Sequence, residues 1–201
     1  MKLSSLDRIL LLFTVLLASY QVSAGIDGFG ALPIIAYTIA FGLILVAALL
    51  IFILGMEVLD SPIVVIVSTI IPLSLAVGLV WQHLASWGTS YLIFAIIGFL
   101  AVTLTRSIPT PGKIPTIVLA VTHGIAGMTI FLLPIIIAAQ GQVKPLYSLV
   151  GIGGALIGVG GLLLSFLKTG KPILSRETIM KLFPILLLLT TAFFVAGFKF
   201  G

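Results

Sequence analysis

Charged side chains and cysteine are what this chain has least of. Only 7% of its 201 residues are charged, whereas a soluble domain has roughly a quarter. Cysteine is absent, which excludes disulfides, thiolate metal sites, iron–sulfur clusters and cysteine nucleophiles. The chain also has only two histidines and five acidic residues, so few side chains are available for chemistry.

What the chain has instead is hydrophobic sequence, in seven stretches that are each long enough to cross a bilayer. Hydrophobic residues make up 61% of the total, and a helix of about 20 apolar residues spans the hydrocarbon core. These runs are apolar on every side, unlike the alternating strands of a membrane β-barrel. We therefore predict an all-α, polytopic integral membrane helix bundle, a single domain over residues 1–201 with no soluble domain. The predicted spans are 6–24, 31–56, 63–84, 87–105, 114–139, 146–167 and 179–198.

The fourth stretch is the weakest of the seven. Ser86, Thr89 and Ser90 lie near its start, and only residues 91–104 are strongly apolar. Six spans with a re-entrant fourth segment is therefore the main alternative count. That alternative would scatter the basic residues over both sides of the membrane, so the charge pattern favours seven spans.

The basic residues indicate how the seven spans are oriented. Eight of the ten lie at the N-terminus or around the connections after spans four and six, and only Lys144 and Lys199 lie on the other side. The positive-inside rule then places the N-terminus in the cytoplasm. We predict a protein integral to the cytoplasmic membrane of a prokaryote. We interpret the net charge of +5 as part of this orientation signal and as a source of attraction between the protein and the anionic headgroups of the lipid bilayer. We do not interpret it as a sign of nucleic-acid binding.

Glycine is concentrated in the sixth stretch. At about 100° per residue, four of its glycines share one face of a helix and two share nearly the opposite face. The first set is Gly151, Gly154, Gly158 and Gly161, and the second is Gly153 and Gly160. Small residues let helix backbones approach closely, so we predict that these are helix-packing positions. The alternatives are a subunit interface and a groove for a flat ligand. The sixth helix should be the most enclosed one or lie at a subunit contact.

His123 is the residue that most strongly suggests chemistry. It lies about nine residues into the fifth stretch, and an ionisable group at that depth is a functional-site candidate by default. A neutral imidazole could ligate the metal of a haem or another tetrapyrrole, and Gly124 and Gly127 would leave room for a flat ring. The alternative is a structural histidine that hydrogen-bonds a neighbouring helix. In both cases the side chain should face protein or a ligand and not lipid.

His83 is a poor partner for His123 in a shared haem site. It lies near the outer end of the third stretch, whereas His123 lies near the middle of the fifth. At 1.5 Å per residue the two differ in depth by roughly 15 Å. With Trp81 and Trp87 beside it, His83 is more typical of an interfacial aromatic belt.

The five acidic residues form no recognisable catalytic or metal-binding set. They are Asp7, Asp27, Glu57, Asp60 and Glu177, and none lies in the middle of a predicted span. Glu57 and Asp60 share a turn that could form the mouth of a cation path. The simpler interpretation is a solvated turn in which Asp60 or Ser61 caps the third helix. An enzyme is therefore the less favoured class.

Three functions are compatible with the sequence. The first is a non-catalytic integral subunit or accessory protein of a larger membrane complex, for example a bioenergetic one, with other membrane protein subunits as partners. Short loops and smooth glycine faces favour it. The second is a small-solute or ion transporter, against which stand the lack of buried charge and of an internal repeat. The third is a haem- or pigment-binding electron-transfer protein that uses His123.

Overall fold

Helices account for almost all of the chain in its computed structural model. The structure describes residues 3–26, 30–110, 112–168 and 173–201, so Lys2, Asp27 and Lys171 lie outside the described residues. Within these ranges there are seven α-helices, two short 3-10 helices (Met56–Asp60 and Pro145–Tyr147) and no strand. The α-helices are α1 (Ser5–Ala24), α2 (Ala31–Leu54), α3 (Pro62–His83), α4 (Ala85–Ser107), α5 (Ile114–Ala139), α6 (Ser148–Lys168) and α7 (Arg176–Phe200). All seven are long and apolar enough to cross a membrane.

The fourth helix is continuous. α4 runs for 23 residues through the polar positions at its start, and Leu84 alone separates it from α3. The sharp turn brings the Trp81 ring against Gly88, where a Cβ atom would lie 2.8 Å from Trp81 Cε3. Because no break interrupts α4, the structure favours the seven-helix count over six spans with a re-entrant segment.

Local chemistry sets the ends of the first two helices. α1 begins with a capping box, in which the side chains of Ser4 and Asp7 each accept a hydrogen bond from the other residue's backbone N–H. Gly25 and Gly55 follow α1 and α2 with φ angles of 69° and 83°. These left-handed conformations favour glycine, so both glycines are effective helix stops.

The start of α3 differs from the sequence expectation. Pro62 is the first helical residue, but no side chain caps the helix, and Ser61 occupies the capping position without such a bond. Asp60 instead accepts a hydrogen bond from Arg176 of α7, with Nη2 and Oδ2 2.7 Å apart. The Asp60 carboxylate, which was one of the two groups expected to cap α3, therefore forms an ion pair with a distant segment instead.

α3 is the centre of the bundle. It packs against α2, α4 and α5, and 56% of its span is buried inside the protein, compared with 33% for α6. The expectation that α6 is the most enclosed helix is therefore wrong within a single chain. α6 packs chiefly against its two sequence neighbours, α5 and α7.

Two hydrophobic clusters lie at different levels of the bundle. We call the end that holds the start of α1 the N-terminal end, and the end that holds Gly201 the C-terminal end. The smaller cluster, the N-terminal cluster, joins the start of α1 and α7 to the end of α2 and the first 3-10 helix. It consists of Leu11, Ile51, Met56, Leu59 and Met180. The larger cluster fills the remaining interior and includes the buried rings of α2 and α7.

Candidate functional site

The first three glycines of α6 lie in close contact with the helices on both sides. A Cβ atom on Gly151 would lie 2.5 Å from the Phe131 carbonyl oxygen of α5, and one on Gly154 would lie 2.7 Å from Ile130 Cγ2. On the opposite face, a Cβ on Gly153 would lie 2.7 Å from the Phe194 ring of α7. α6 is therefore sandwiched between α5 and α7 at this level, and only glycine allows so close an approach.

The remaining glycines of α6 have different surroundings. Gly158 and Gly161 continue the same helix face as Gly154, at about 40° and 20° from it. A Cβ atom built on either of them would have nothing within 4 Å. Gly160, on the other face, would have only the side chains of Leu186 and Phe183 near its Cβ, at 3.9 and 4.0 Å. The glycine face of α6 is thus covered in its first half and open in its second.

The facing side of α5 is open in the same place. Gly127 and Gly124 continue the face that carries Phe131, again within about 40° of it, and nothing lies within 4 Å of a Cβ built on them. The contacts of Gly151 and Gly154 show that α5 and α6 run antiparallel, because higher numbers in α6 meet lower numbers in α5. The four open glycines therefore face one another across the same gap.

α5 and α6 diverge toward the N-terminal end of the bundle. Near its end α6 packs instead against the N-terminal cluster, through Leu164 and Leu167. The gap that this leaves is the α5–α6 cleft, which we define by Gly124, Gly127, Gly158 and Gly161. Its walls are smooth on both sides, because none of the four residues has a side chain.

His123 borders this cleft. It lies about 40° around α5 from Gly127 and about 20° from the fully buried Ile130. Its side chain is half-buried, and its Nδ1 atom is shielded from solvent without a hydrogen-bond partner. In a membrane protein such an atom is unsatisfied, at a cost of about 1–3 kcal/mol on mutational scales. The structure thus places a half-buried imidazole at the edge of the cleft.

A second unpaired polar atom lies nearby. Arg106 is at the end of α4, and its Nε is also shielded without a hydrogen-bond partner. Its charge lies near enough to act on the His123 ring. α4 meets α5 about two turns before Arg106, where a Cβ on Gly98 would lie 2.9 Å from Thr122 Cγ2. Two unpaired nitrogens on neighbouring helices therefore lie in the N-terminal half of the bundle.

His83 lies at the opposite end and has a partner. Its Nε2 is 2.9 Å from the Tyr147 hydroxyl, and the two rings meet edge to face. Beside them Tyr37 donates a hydrogen bond of 2.9 Å to Gln82 Oε1. His83 thus belongs to a group of polar and aromatic residues, the Tyr37 network, which consists of Tyr37, Gln82, His83 and Tyr147. Trp87, one of the two tryptophans expected to form an aromatic belt with His83, is 65% exposed. No local sequence signal marks this network, since its partners are 45 and 64 positions apart.

An apolar groove lies on another side of the bundle, between α2, α3 and α4. Its volume is about 610 Å³, and Ser74 is the one polar residue of its lining. Ile35, Ile39 and Ile96 form its exposed rim. A groove of this composition can accommodate hydrocarbon chains, but it offers no polar group to select a ligand or to perform chemistry.

The described acidic residues do not form a site. Asp60 pairs with Arg176 at 2.7 Å, and Glu177 pairs with Lys181 one turn along α7 at 2.6 Å. Across residues 3–26, 30–110, 112–168 and 173–201, no group of three His, Asp or Glu side chains could hold a metal ion. The cation path suggested for Glu57 and Asp60 therefore gains no support from the geometry.

Comparisons with known proteins add no relatives. No protein-family model, no curated protein and no solved structure matches this chain. The function therefore has to be argued from the geometry of the α5–α6 cleft and the residues that border it.

Proposed function

We propose that this protein is a non-catalytic integral subunit or accessory protein of a larger membrane complex, and that a transmembrane helix of a partner subunit docks in the α5–α6 cleft. The observation that carries the proposal is the open space at Gly124, Gly127, Gly158 and Gly161. The same two helix faces pack at backbone distance one turn away, at Gly151 and Gly154. In the cleft the same two glycine faces continue, but no other part of the described chain packs against them.

Helix association in lipid favours such a surface. Lipid tails are as apolar as leucine, so transmembrane helices associate through close van der Waals packing and interhelical hydrogen bonds. The cleft supplies both. Its glycines allow a third backbone to approach α5 and α6, and the half-buried His123 imidazole at its edge offers a hydrogen bond to a hydroxyl or amide group of the docked helix.

Filling the cleft should dissociate the complex without unfolding the protein. Gly161→Leu and Gly124→Leu each place a side chain where the chain has open space, so the purified variants should keep the parent's melting temperature. Against a docked helix the same side chain overpacks the interface by about 1–3 kcal/mol, which lowers the fraction in complex by roughly tenfold. Native gels of gently solubilised membranes measure that fraction.

Gly42→Leu is the matched control for this experiment. Gly42 of α2 also has nothing within 4 Å of a Cβ, but it lies outside the cleft, so its variant should migrate with the parent. A parent that migrates as a single chain, or a Gly161→Leu variant that retains the whole complex, would show that no helix occupies the cleft.

A second candidate is a tetrapyrrole-binding protein, which the unpaired nitrogen of His123 favours. An axial ligand needs an imidazole nitrogen that the metal can reach, and because Nδ1 is shielded by the protein, Nε2 would be the ligating atom. The open glycines beside it leave room for a flat ring. In this case His123 would ligate the metal, and the cofactor would occupy the cleft in place of a helix.

A visible spectrum separates the two candidates. If His123 is an axial ligand, the natively purified parent should show a strong band near 400 nm, about the Soret region of a haem, and His123→Ala and His123→Leu should both lose it. A band that survives both changes contradicts the ligand role. A parent without any visible band leaves the docking proposal alone.

A further inference from the structure

Acidic and basic side chains are segregated along this chain. Between Asp60 and Glu177 the sequence contains no acidic residue, although most of the basic residues lie in that interval. The cations of the α4–α5 connection therefore have no acidic neighbour in their own part of the sequence. Any carboxylate that neutralises them has to come from residues 1–60, from residues 177–201 or from another molecule.

The described carboxylates at the N-terminal end are engaged elsewhere. Asp60 pairs with Arg176, and Glu177 with Lys181. Asp7 is only 7% exposed and accepts hydrogen bonds from the backbone N–H and the hydroxyl of Ser4. These contacts lie on α1, α7 and the first 3-10 helix, on the side of the bundle that holds the N-terminal cluster.

Arg106 and Lys113 are among the cations that these contacts leave without an acid, and they lie together in the α4–α5 connection, whereas Arg8 lies over the Phe52 ring. Arg106 ends α4, and Lys113 occupies the capping position of α5. In the part of the chain that the structure describes, neither has an ion pair with a carboxylate. The turn between α4 and α5 is therefore a site of uncompensated positive charge.

The position of Arg106 requires an acceptor. It follows Val102 by one turn on α4, and Val102 is fully buried, so Arg106 continues the inward face of the helix. Its Nε is shielded and has no acceptor. A guanidinium presents a planar fork of donors that matches a phosphate or carboxylate, and phosphate oxygens can accept two of its hydrogen bonds at once. An oxyanion is therefore a fitting partner for the nitrogens of this half-buried guanidinium that are not shielded.

Apolar side chains surround this charge and face outward. Leu104 and Ile108 are 57% and 58% exposed, and Ile114 and Ile117 of α5 are 51% and 57% exposed. A water-soluble anion would make no use of these apolar side chains. A phospholipid has both parts, a phosphate for Arg106 and Lys113 and acyl chains for the exposed leucine and isoleucines.

We propose that the turn between α4 and α5 binds the headgroup phosphate of an anionic phospholipid. Arg106 holds the phosphate oxygens with its guanidinium, and Lys113 adds a second charge. The proposal is based on the complementary charges of the two basic side chains and the phosphate. This lipid site does not depend on whether anything occupies the α5–α6 cleft. The same end of the bundle is the one that the basic residues predict to be cytoplasmic, where anionic lipids attract basic side chains.

Lipid enrichment around the purified protein tests the site. The protein is reconstituted in nanodiscs of equal parts phosphatidylcholine and phosphatidylglycerol, and native mass spectrometry counts the lipids of each class that it retains. The parent should retain phosphatidylglycerol preferentially. Arg106→Gln and Lys113→Gln should each reduce that preference roughly fivefold, the equivalent of about 1 kcal/mol per basic residue near the membrane surface. Arg106→Lys, which keeps the charge and loses the fork, should fall between the parent and Arg106→Gln.

Two controls decide the interpretation. Lys144→Gln removes a basic residue at the opposite end and should leave the preference unchanged. An Arg106→Gln variant with the parent's preference, or an equal loss in Lys144→Gln, overturns the proposal. Inorganic phosphate is added to nanodiscs of phosphatidylcholine alone as a further arm. The lipid assignment is wrong, and the ligand is a soluble anion, if two results are obtained together. Phosphate raises the melting temperature of the parent as much as phosphatidylglycerol does, and it leaves the melting temperature of Arg106→Gln unchanged.

Discussion

Replacing Gly154 with leucine should lower the free energy of unfolding by about 3 kcal/mol, the upper end of the range for overpacked cores. A Cβ atom alone would lie 2.7 Å from Ile130 Cγ2 and 3.1 Å from the Ile130 carbonyl carbon and the Phe131 nitrogen. Two of these three atoms are backbone, so α5 as a whole would have to move. Thermal unfolding of the purified variant in one detergent measures the effect.

Gly158→Leu is the internal control for that measurement. It introduces the same side chain on the same face of α6, one turn further along, where nothing lies within 4 Å of a Cβ. Its melting temperature should match that of the parent. If both variants melt alike, α5 and α6 do not diverge as the structure has them, and the α5–α6 cleft does not exist.

Removal of the Tyr37 side chain should cost about 3–5 kcal/mol, the range for a large aromatic residue replaced by alanine in a core. Tyr37 is 1% exposed. Its ring lies 4.6 Å from that of Phe198, measured between centroids, and contacts Gly78 of α3. Tyr37→Ala therefore leaves a cavity where α2, α3 and α7 meet. Thermal unfolding under identical conditions again provides the measurement.

Tyr37→Phe separates the hydrogen bond from the packing. It keeps the ring and removes the donor to the half-buried Gln82 Oε1, so the loss should be about 1 kcal/mol, the net contribution of a typical hydrogen bond. Tyr20→Ala is the control outside the core, because Tyr20 is 42% exposed, and it should destabilise far less. An equal loss for Tyr37→Ala and Tyr20→Ala would show that the Tyr37 network does not hold the C-terminal end together.

The helices could be predicted from the sequence because their causes are local. The first span was predicted as 6–24 and is Ser5–Ala24, and the fifth was predicted as 114–139 and is Ile114–Ala139. In a bilayer each helix satisfies its backbone hydrogen bonds within its own segment. Hydropathy, proline and glycine along that segment then place its ends to within three residues.

The candidate site was only partly accessible from the sequence. Periodicity correctly groups Gly151, Gly154, Gly158 and Gly161 on one face, but it treats all four alike. The structure separates them into two that pack closely against α5 and two whose Cβ position has no neighbour within 4 Å. Likewise, His123 stands out by its depth in the span, whereas no pattern near Arg106 indicates that its Nε is unpaired.

The sequence by itself determined that this chain is a bundle of seven apolar helices, where each begins and ends to within three residues, and which faces are smooth enough for close packing. The tertiary structure alone decided that α3 and not α6 is the most enclosed helix, that His83 and Tyr147 are partners, and that α5 and α6 diverge to leave a cleft. The physical reason is the range of the interactions. A helix depends on hydrogen bonds four residues apart, whereas contacts between helices depend on where distant segments of the chain cross, which no single stretch of sequence encodes.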